Sequence, residues 1–257
     1  MTTTSRVHRP GAAAWLMLIR CEAKMVARDT AGLVVPIGLP LLILAMSAST
    51  VSTETVVNDR TVLDVFVLPL VITVVVATIG IVNMPSFLAY YRLSGILRRL
   101  AVTPASPAMV LVAQVVVGAA QALLGVGAAL LTACLFFGAH LPVDPFAAVG
   151  VFALIMGAMS AVGMIVAAIA PTPNAAVAIG LVVFFALGAC GGLFGSPDAL
   201  PDPVAQIGGW LPFGAAVEAL SATWAGTAVA PADLIGLVAA IGVGTLVAAT
   251  VFRWDRS

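Results

Sequence analysis

The chain has 257 residues, of which 62% are hydrophobic and only 9% charged, and its mean hydropathy is +1.17. A soluble domain is roughly half apolar and a quarter charged, so this chain lacks the polar residues to cover a water-facing core; it reads as an all-α integral membrane protein. The formal net charge is zero, which leaves no general case for nucleic-acid binding. The cysteines Cys21, Cys134 and Cys190 have neither paired nor metal-type spacing.

In chain order, the first 30 residues carry charges throughout and no apolar h-region, so no signal peptide is expected. Ala12–Asp29 then reads as an amphipathic helix lying on the membrane. Trp15, Leu18, Ile19, Met25 and Val26 share one face, while Arg20, Lys24 and Arg28 share the other. Glu22 intrudes on the apolar face, where it either meets another protein or pairs locally.

Hydropathy next predicts six membrane spans, over about 32–51, 62–84, 108–137, 146–170, 175–194 and 232–252. At about 1.5 Å per residue the third exceeds one perpendicular crossing, so it tilts or its first turns stand outside the lipid. Of the 11 Lys and Arg, only Arg60 falls in an outer segment under this topology. That positive-inside bias predicts that both termini are cytoplasmic. Asp64 and Asp233 sit near predicted outer span ends, where a carboxylate reaches water. The outer segment 195–231 contains two apolar stretches, Val204–Trp210 and Phe213–Trp224. They are expected as short re-entrant helices anchored in the interface by Trp210 and Trp224. One membrane domain is expected: an amphipathic segment over 1–31, a six-span bundle over 32–252 and a cytoplasmic tail over 253–257.

The cytoplasmic loop between the second and third spans is the most informative stretch. Leu93, Ile96, Leu97 and Leu100 recur at helical spacing, with Arg92, Arg98 and Arg99 opposite, and Thr103-Pro104 ends the pattern. Such a helix either lies on anionic lipid or docks as a lever into a soluble partner. No GxxxxGK[ST] loop, HExxH or CxxC motif occurs, Lys24 is the sole lysine, and the histidines His8 and His140 lie outside the predicted spans. No catalytic, metal-binding or cofactor-binding residue is therefore assigned. Gly118 and Ala122, Gly125 and Ala129, and Gly188 and Gly192 stand four apart, a spacing that lets helices approach closely. Gln114 and Gln121 share a helix face and are read as interhelical hydrogen-bonding residues. Thr78, Asn83, Phe184 and Phe185 line a pathway between the second and fifth spans or are ordinary packing residues.

Three stretches resemble the type-two ABC transporter permeases, a family that includes drug-resistance exporters. They are Arg28-Asp29 followed by Pro36 and Pro40; Gly95-Ile96-Leu97-Arg98-Arg99-Leu100 with Thr103-Pro104 and Ser106-Pro107; and Gly191-Gly192-Leu193-Phe194 with Leu200-Pro201 and Leu211-Pro212-Phe213. Leu93 stands where the family usually has Glu. The resemblance implies a coupling helix that seats Arg92, Gly95–Ala101, Thr103 and Pro104 in an ATP-binding cassette subunit. It makes the segment with Arg20, Glu22, Lys24, Arg28 and Asp29 a connecting helix near that subunit. It also implies a second permease copy or paralogue, with ATP and Mg held by the partner, and export of an amphipathic drug-like or lipid-like molecule from the cell membrane. Against it stand two other readings: an ion-coupled secondary transporter, disfavoured by the nearly charge-free spans, and a non-transport membrane scaffold.

Overall fold

The computed structural model describes residues 11–49, 54–96, 107–195 and 201–251. The architecture is all-α apart from one small hairpin. In chain order the helices are α1 (Ala12–Arg28), α2 (Thr30–Ala48), α3 (Leu63–Leu93), α4 (Pro107–Phe137), α5 (Pro145–Ile169), α6 (Pro173–Cys190), α7 (Asp202–Trp210), α8 (Pro212–Ala225) and α9 (Pro231–Val251). Helices α3, α4, α5 and α6 are long and apolar enough to cross a membrane; α1 and α2, bent by 62° at their junction, form a further candidate pair. The integral-membrane reading stands. The apolar stretch of α9 over Pro231–Val247 is shorter.

Helix α3 forms the centre, buried along almost its whole length. It contains two π-helical stretches, Leu63–Val67 and Thr78–Asn83. The second carries Gly80, and a methyl there would stand 2.8 Å from the Met159 carbonyl carbon of α5. Gly163 of α5 packs in turn on the Gly80 carbonyl, so two helix backbones touch directly. Of the predicted small pairs, Gly118 and Gly125 of α4 face Ile79 and Val75 of α3, with Ala122 and Ala129 fully buried between them.

Three sequence expectations need correction, and one element is new. The second span does not stop near Met84: α3 continues to Leu93, because the charge of Arg92 is satisfied inside the protein. The helix predicted through Leu93 and Ile96 is interrupted at Gly95, whose φ of +69° lies in the left-handed region. Leu93 ends α3 exposed to the outside, whereas Ile96 packs on Tyr91 and Val110. The segment Phe213–Trp224 forms α8, which is enclosed by protein rather than immersed in lipid; Trp224 is 3% exposed, while Trp210 remains 59% exposed. Finally, residues Thr55–Thr61 form an antiparallel hairpin that hydropathy does not predict. Asn58 and Asp59 turn it with positive φ, the geometry favoured where two strands reverse in two residues.

Candidate functional site

Two polar clusters mark opposite ends of the bundle, and a third sits at the break between α1 and α2. The first is built on Glu22. Although α1 is amphipathic, Glu22 is 3% exposed, since α1 lies against α3 and α4 and turns this carboxylate inward. The Tyr91 hydroxyl of α3 donates to Glu22 Oε1 at 2.6 Å, and Gln114 Nε2 of α4 donates to Oε2 at 2.8 Å. Burial raises the Glu22 carboxyl above its ordinary pKa, while those two hydrogen bonds pull the other way. Of the two sequence readings, local pairing is the one observed: the partners of Glu22 lie in this chain, and the ATP-binding neighbour implied for it by resemblance is not needed to explain its burial. The same helix end carries Leu18 and Met25, which close over Tyr91, Val110 and Ile96.

Next to this cluster, Arg92 donates through Nη1 to the Ala167 carbonyl at 3.1 Å and through Nη2 to the Ala170 carbonyl. Those carbonyls belong to the last turn of α5, which has no intrahelical donors left for them. Arg92 thus caps α5. The chain turns back at Thr172, whose hydroxyl accepts from Ala175 N–H at 3.2 Å and starts α6 ahead of Pro173. Gly95 and Ile96 lead into the segment that the resemblance assigns to coupling. Leu97, Arg98, Arg99, Leu100, Ala101, Thr103 and Pro104 lie outside the described residues. Arg20, Lys24 and Arg28 are exposed along α1, as the basic stripe requires.

The cluster at the break between α1 and α2 follows from a proline. Pro36 in α2 has no N–H, so the Gly32 carbonyl four residues earlier loses its helical donor. Two neighbouring helices supply replacements: Asn83 Nδ2 of α3 donates to the Gly32 carbonyl at 2.8 Å, and Gln121 Nε2 of α4 donates at 2.5 Å. Within a membrane bundle a freed carbonyl persists only when it is re-satisfied in this way. Gln114 and Gln121 therefore both make the interhelical bonds read from sequence. Asp29, the extended residue between α1 and α2, lies beside Gly32.

Of the four residues read as pathway or packing, the structure brings only two together. Phe184 is 1% exposed and stacks edge-on with Phe185 and with Phe213 of α8, centroids 5.2 and 6.2 Å away. The Thr78 hydroxyl bonds back to the Val74 and Val75 carbonyls of its own helix. Asn83 lines a cavity, and Phe185 is exposed and stacks on Phe194. Phe184 and Thr78 are packing residues.

At the opposite end, Asp64 and His140 tie the start of α3 to the loop between α4 and α5. Asp64 is 0% exposed, a correction to its expected access to water. It accepts from His140 N–H at 2.7 Å, from Thr61 N–H and hydroxyl at 3.1 Å each, and lies 3.1 Å from His140 Nδ1. Trp224 of α8 donates its indole N–H to the His140 carbonyl at 3.0 Å, and Asn58 of the hairpin donates to the Ala225 carbonyl at 2.8 Å. Asp233 is also buried, in the first turn of α9 with Glu218 of α8 within electrostatic reach. No signal in the sequence named Tyr91 or Asn58, because their partners lie 69 and 167 residues away on other elements.

Where α6, α7 and α8 meet, a methyl on Gly191 would stand 2.7 Å from the Gly214 N atom, and Gly208 and Gly214 approach backbone equally closely. In the third resembling stretch, Gly191 thus sits at a crossing of three chain segments, and Gly192 has a φ of +91°. Residues 13–224 match the family model described as ABC-2 type transporter. The chain belongs to this family. A comparison with individually curated proteins gives no match. As an ABC-2 family permease it is a multi-pass membrane component of transport. Among the described residues no group of three or more His, Cys, Asp or Glu side chains is placed to hold a metal ion.

Proposed function

We propose that this ABC-2 permease is the transmembrane subunit of an ATP-driven exporter, working with a separate ATP-binding cassette subunit and a second copy or paralogue of itself. Both termini face the cytoplasm in this reading, with α2, α3, α4, α5, α6 and α9 as the six spans. The partner holds ATP and Mg and performs hydrolysis. Its closure displaces the segment from Gly95 to Pro104, and the displacement rocks the two halves so that an amphipathic drug-like or lipid-like molecule leaves the inner leaflet. The observation that carries this reading is the family match over residues 13–224. The Glu22–Tyr91–Gln114 bonds support it, since they join α1, α3 and α4 next to the coupling segment, so that force applied there reaches three helices at once. The ion-coupled reading loses one of its two carboxylates, because Asp64 is occupied by His140 and Thr61.

The test is co-purification of the tagged protein from its host in mild detergent, wild type beside Arg98→Glu/Arg99→Glu. An ATP-hydrolysing subunit retained by wild type and lost by the charge reversal is the expected result. A well-folded wild type that elutes alone, without ATPase activity under several extraction conditions, overturns the reading.

A further inference from the structure

Between α2, α3 and α6, at the end of the bundle that holds Glu22, lies a cavity of about 200 Å³. Its apolar wall includes Val35 and Leu181, and its polar lining is Asp29, Asn83 and Ser86. Phe87 completes it. Among the described residues no Lys, Arg or His lines the space.

The chemistry of this lining is one-sided. Asp29 occupies the corner where the chain bends by 62° between α1 and α2, and its side chain caps neither helix. Among the described residues it makes no ion pair. Asn83 spends one of its two amide N–H donors on the Gly32 carbonyl, which leaves its oxygen and one N–H for a ligand. Ser86 adds a hydroxyl. A carboxylate, an amide oxygen and a hydroxyl beside an aromatic ring attract a cation, the ring through its quadrupole and the acceptors directly. An anionic head group would meet the Asp29 carboxylate, with only the Ser86 hydroxyl and one Asn83 amide N–H as side-chain donors. The nearest basic residue in sequence, Arg28, is exposed on α1 and outside the lining.

Size narrows the class further. Cavities that engulf a whole drug-sized ligand run to roughly 300–1,000 Å³, so this one takes a head group and leaves the rest of the molecule outside. Val35 and Leu181 at the mouth are 45% and 38% exposed, giving an apolar exit between α2 and α6. We propose that this cavity receives the ammonium head of a cationic amphiphile, whose hydrocarbon tail stays in the bilayer between α2 and α6. That this ligand is the transported substrate rests on the exporter reading above; the binding site itself does not.

The experiment is equilibrium dialysis of radiolabelled dodecyltrimethylammonium against the purified protein in maltoside micelles, with protein-free micelles as the blank. Dodecyldimethylamine oxide, with the same tail and no net charge, is the comparator. Saturable binding of the cation at one per chain is expected. Asp29→Asn should weaken it about tenfold without changing the amine oxide, and Leu181→Trp, which fills the mouth, should abolish it. Equal binding of both amphiphiles, unchanged by Asp29→Asn, overturns the proposal. So does full cation binding by a folded Leu181→Trp protein, which covers the case in which Asp29→Asn fails to fold. Asp29-dependent binding with no ATP-binding subunit in the co-purification leaves the site standing and the exporter reading refuted. A co-purifying subunit without Asp29-dependent binding refutes the site and leaves the exporter reading standing.

Discussion

The Gly32 carbonyl offers the sharpest test of how this bundle is held. Pro36 removes its helical donor, and Asn83 and Gln121 replace it from two different helices. A carbonyl oxygen has two lone pairs, so removing either side chain leaves one bond in place. Interhelical side-chain hydrogen bonds in membrane proteins are worth about 0.6 kcal/mol on average. Asn83→Leu and Gln121→Leu should therefore each cost about that much. The double variant strands a buried acceptor, which costs about 1–3 kcal/mol. The pair should thus be non-additive by about 1 kcal/mol, measured as a double-mutant cycle by reversible unfolding in mixed micelles with circular dichroism. The same cycle run on Pro36→Ala supplies the control, because alanine returns an N–H to the Gly32 carbonyl. In that background the non-additivity should vanish. Simple additivity in the wild-type background, or a coupling energy unchanged by Pro36→Ala, refutes the argument.

Two further outcomes follow from the packing and the buried carboxylate. Gly163→Ala places a methyl on the Gly80 carbonyl and should destabilise the protein by about 1–3 kcal/mol, whereas Gly150→Ala, with open space around it, should be neutral by thermal unfolding. For Glu22, burial raises the native pKa above that of the unfolded chain, so the native state holds the proton more tightly. Its contribution to stability is complete below the unfolded-state value and is lost as pH rises through the native one. Glu22→Gln should flatten unfolding temperature against pH across that acidic window; a slope identical to wild type contradicts the assignment.

Hydropathy reads the spans well because lipid demands unbroken apolar helix, and each predicted span coincides with a helix to within a few residues at most ends. It fails where burial is in protein instead. Phe213–Trp224 is as apolar as a lipid-facing segment, and nothing in its composition says that α3, α5 and α9 enclose it. It fails again at Arg92, since a charge ends a span on any hydropathy scale, yet this guanidinium reaches the open carbonyls of α5 and lets α3 continue. The clamp on Gly32 is half legible: Pro36 announces a free carbonyl four residues back, but only the fold reveals that Asn83 and Gln121, 51 and 89 residues away, close on it.

The distribution of polar bonds also says which element can move. Between helices in lipid, apolar contact gives little preference for one register over another, because the tails are as apolar as leucine. Register is set by close backbone contacts and by polar bonds. Helices α3, α5 and α6 meet backbone to backbone at Gly80, Gly163 and Gly180, where a small shift costs a direct clash. Helix α2 is interrupted by Pro36 and Pro40, and Asn83 and Gln121 tie it to α3 and α4 at the Gly32 carbonyl. On the exporter reading, a displacement entering at Glu22 and Tyr91 passes to α1, α3 and α4 together, with α2 carried through the Gly32 carbonyl and joined to α1 at the 62° bend. That bend is where Asp29 faces the cavity, so a change in its angle alters the space offered to a ligand before it alters the packed centre.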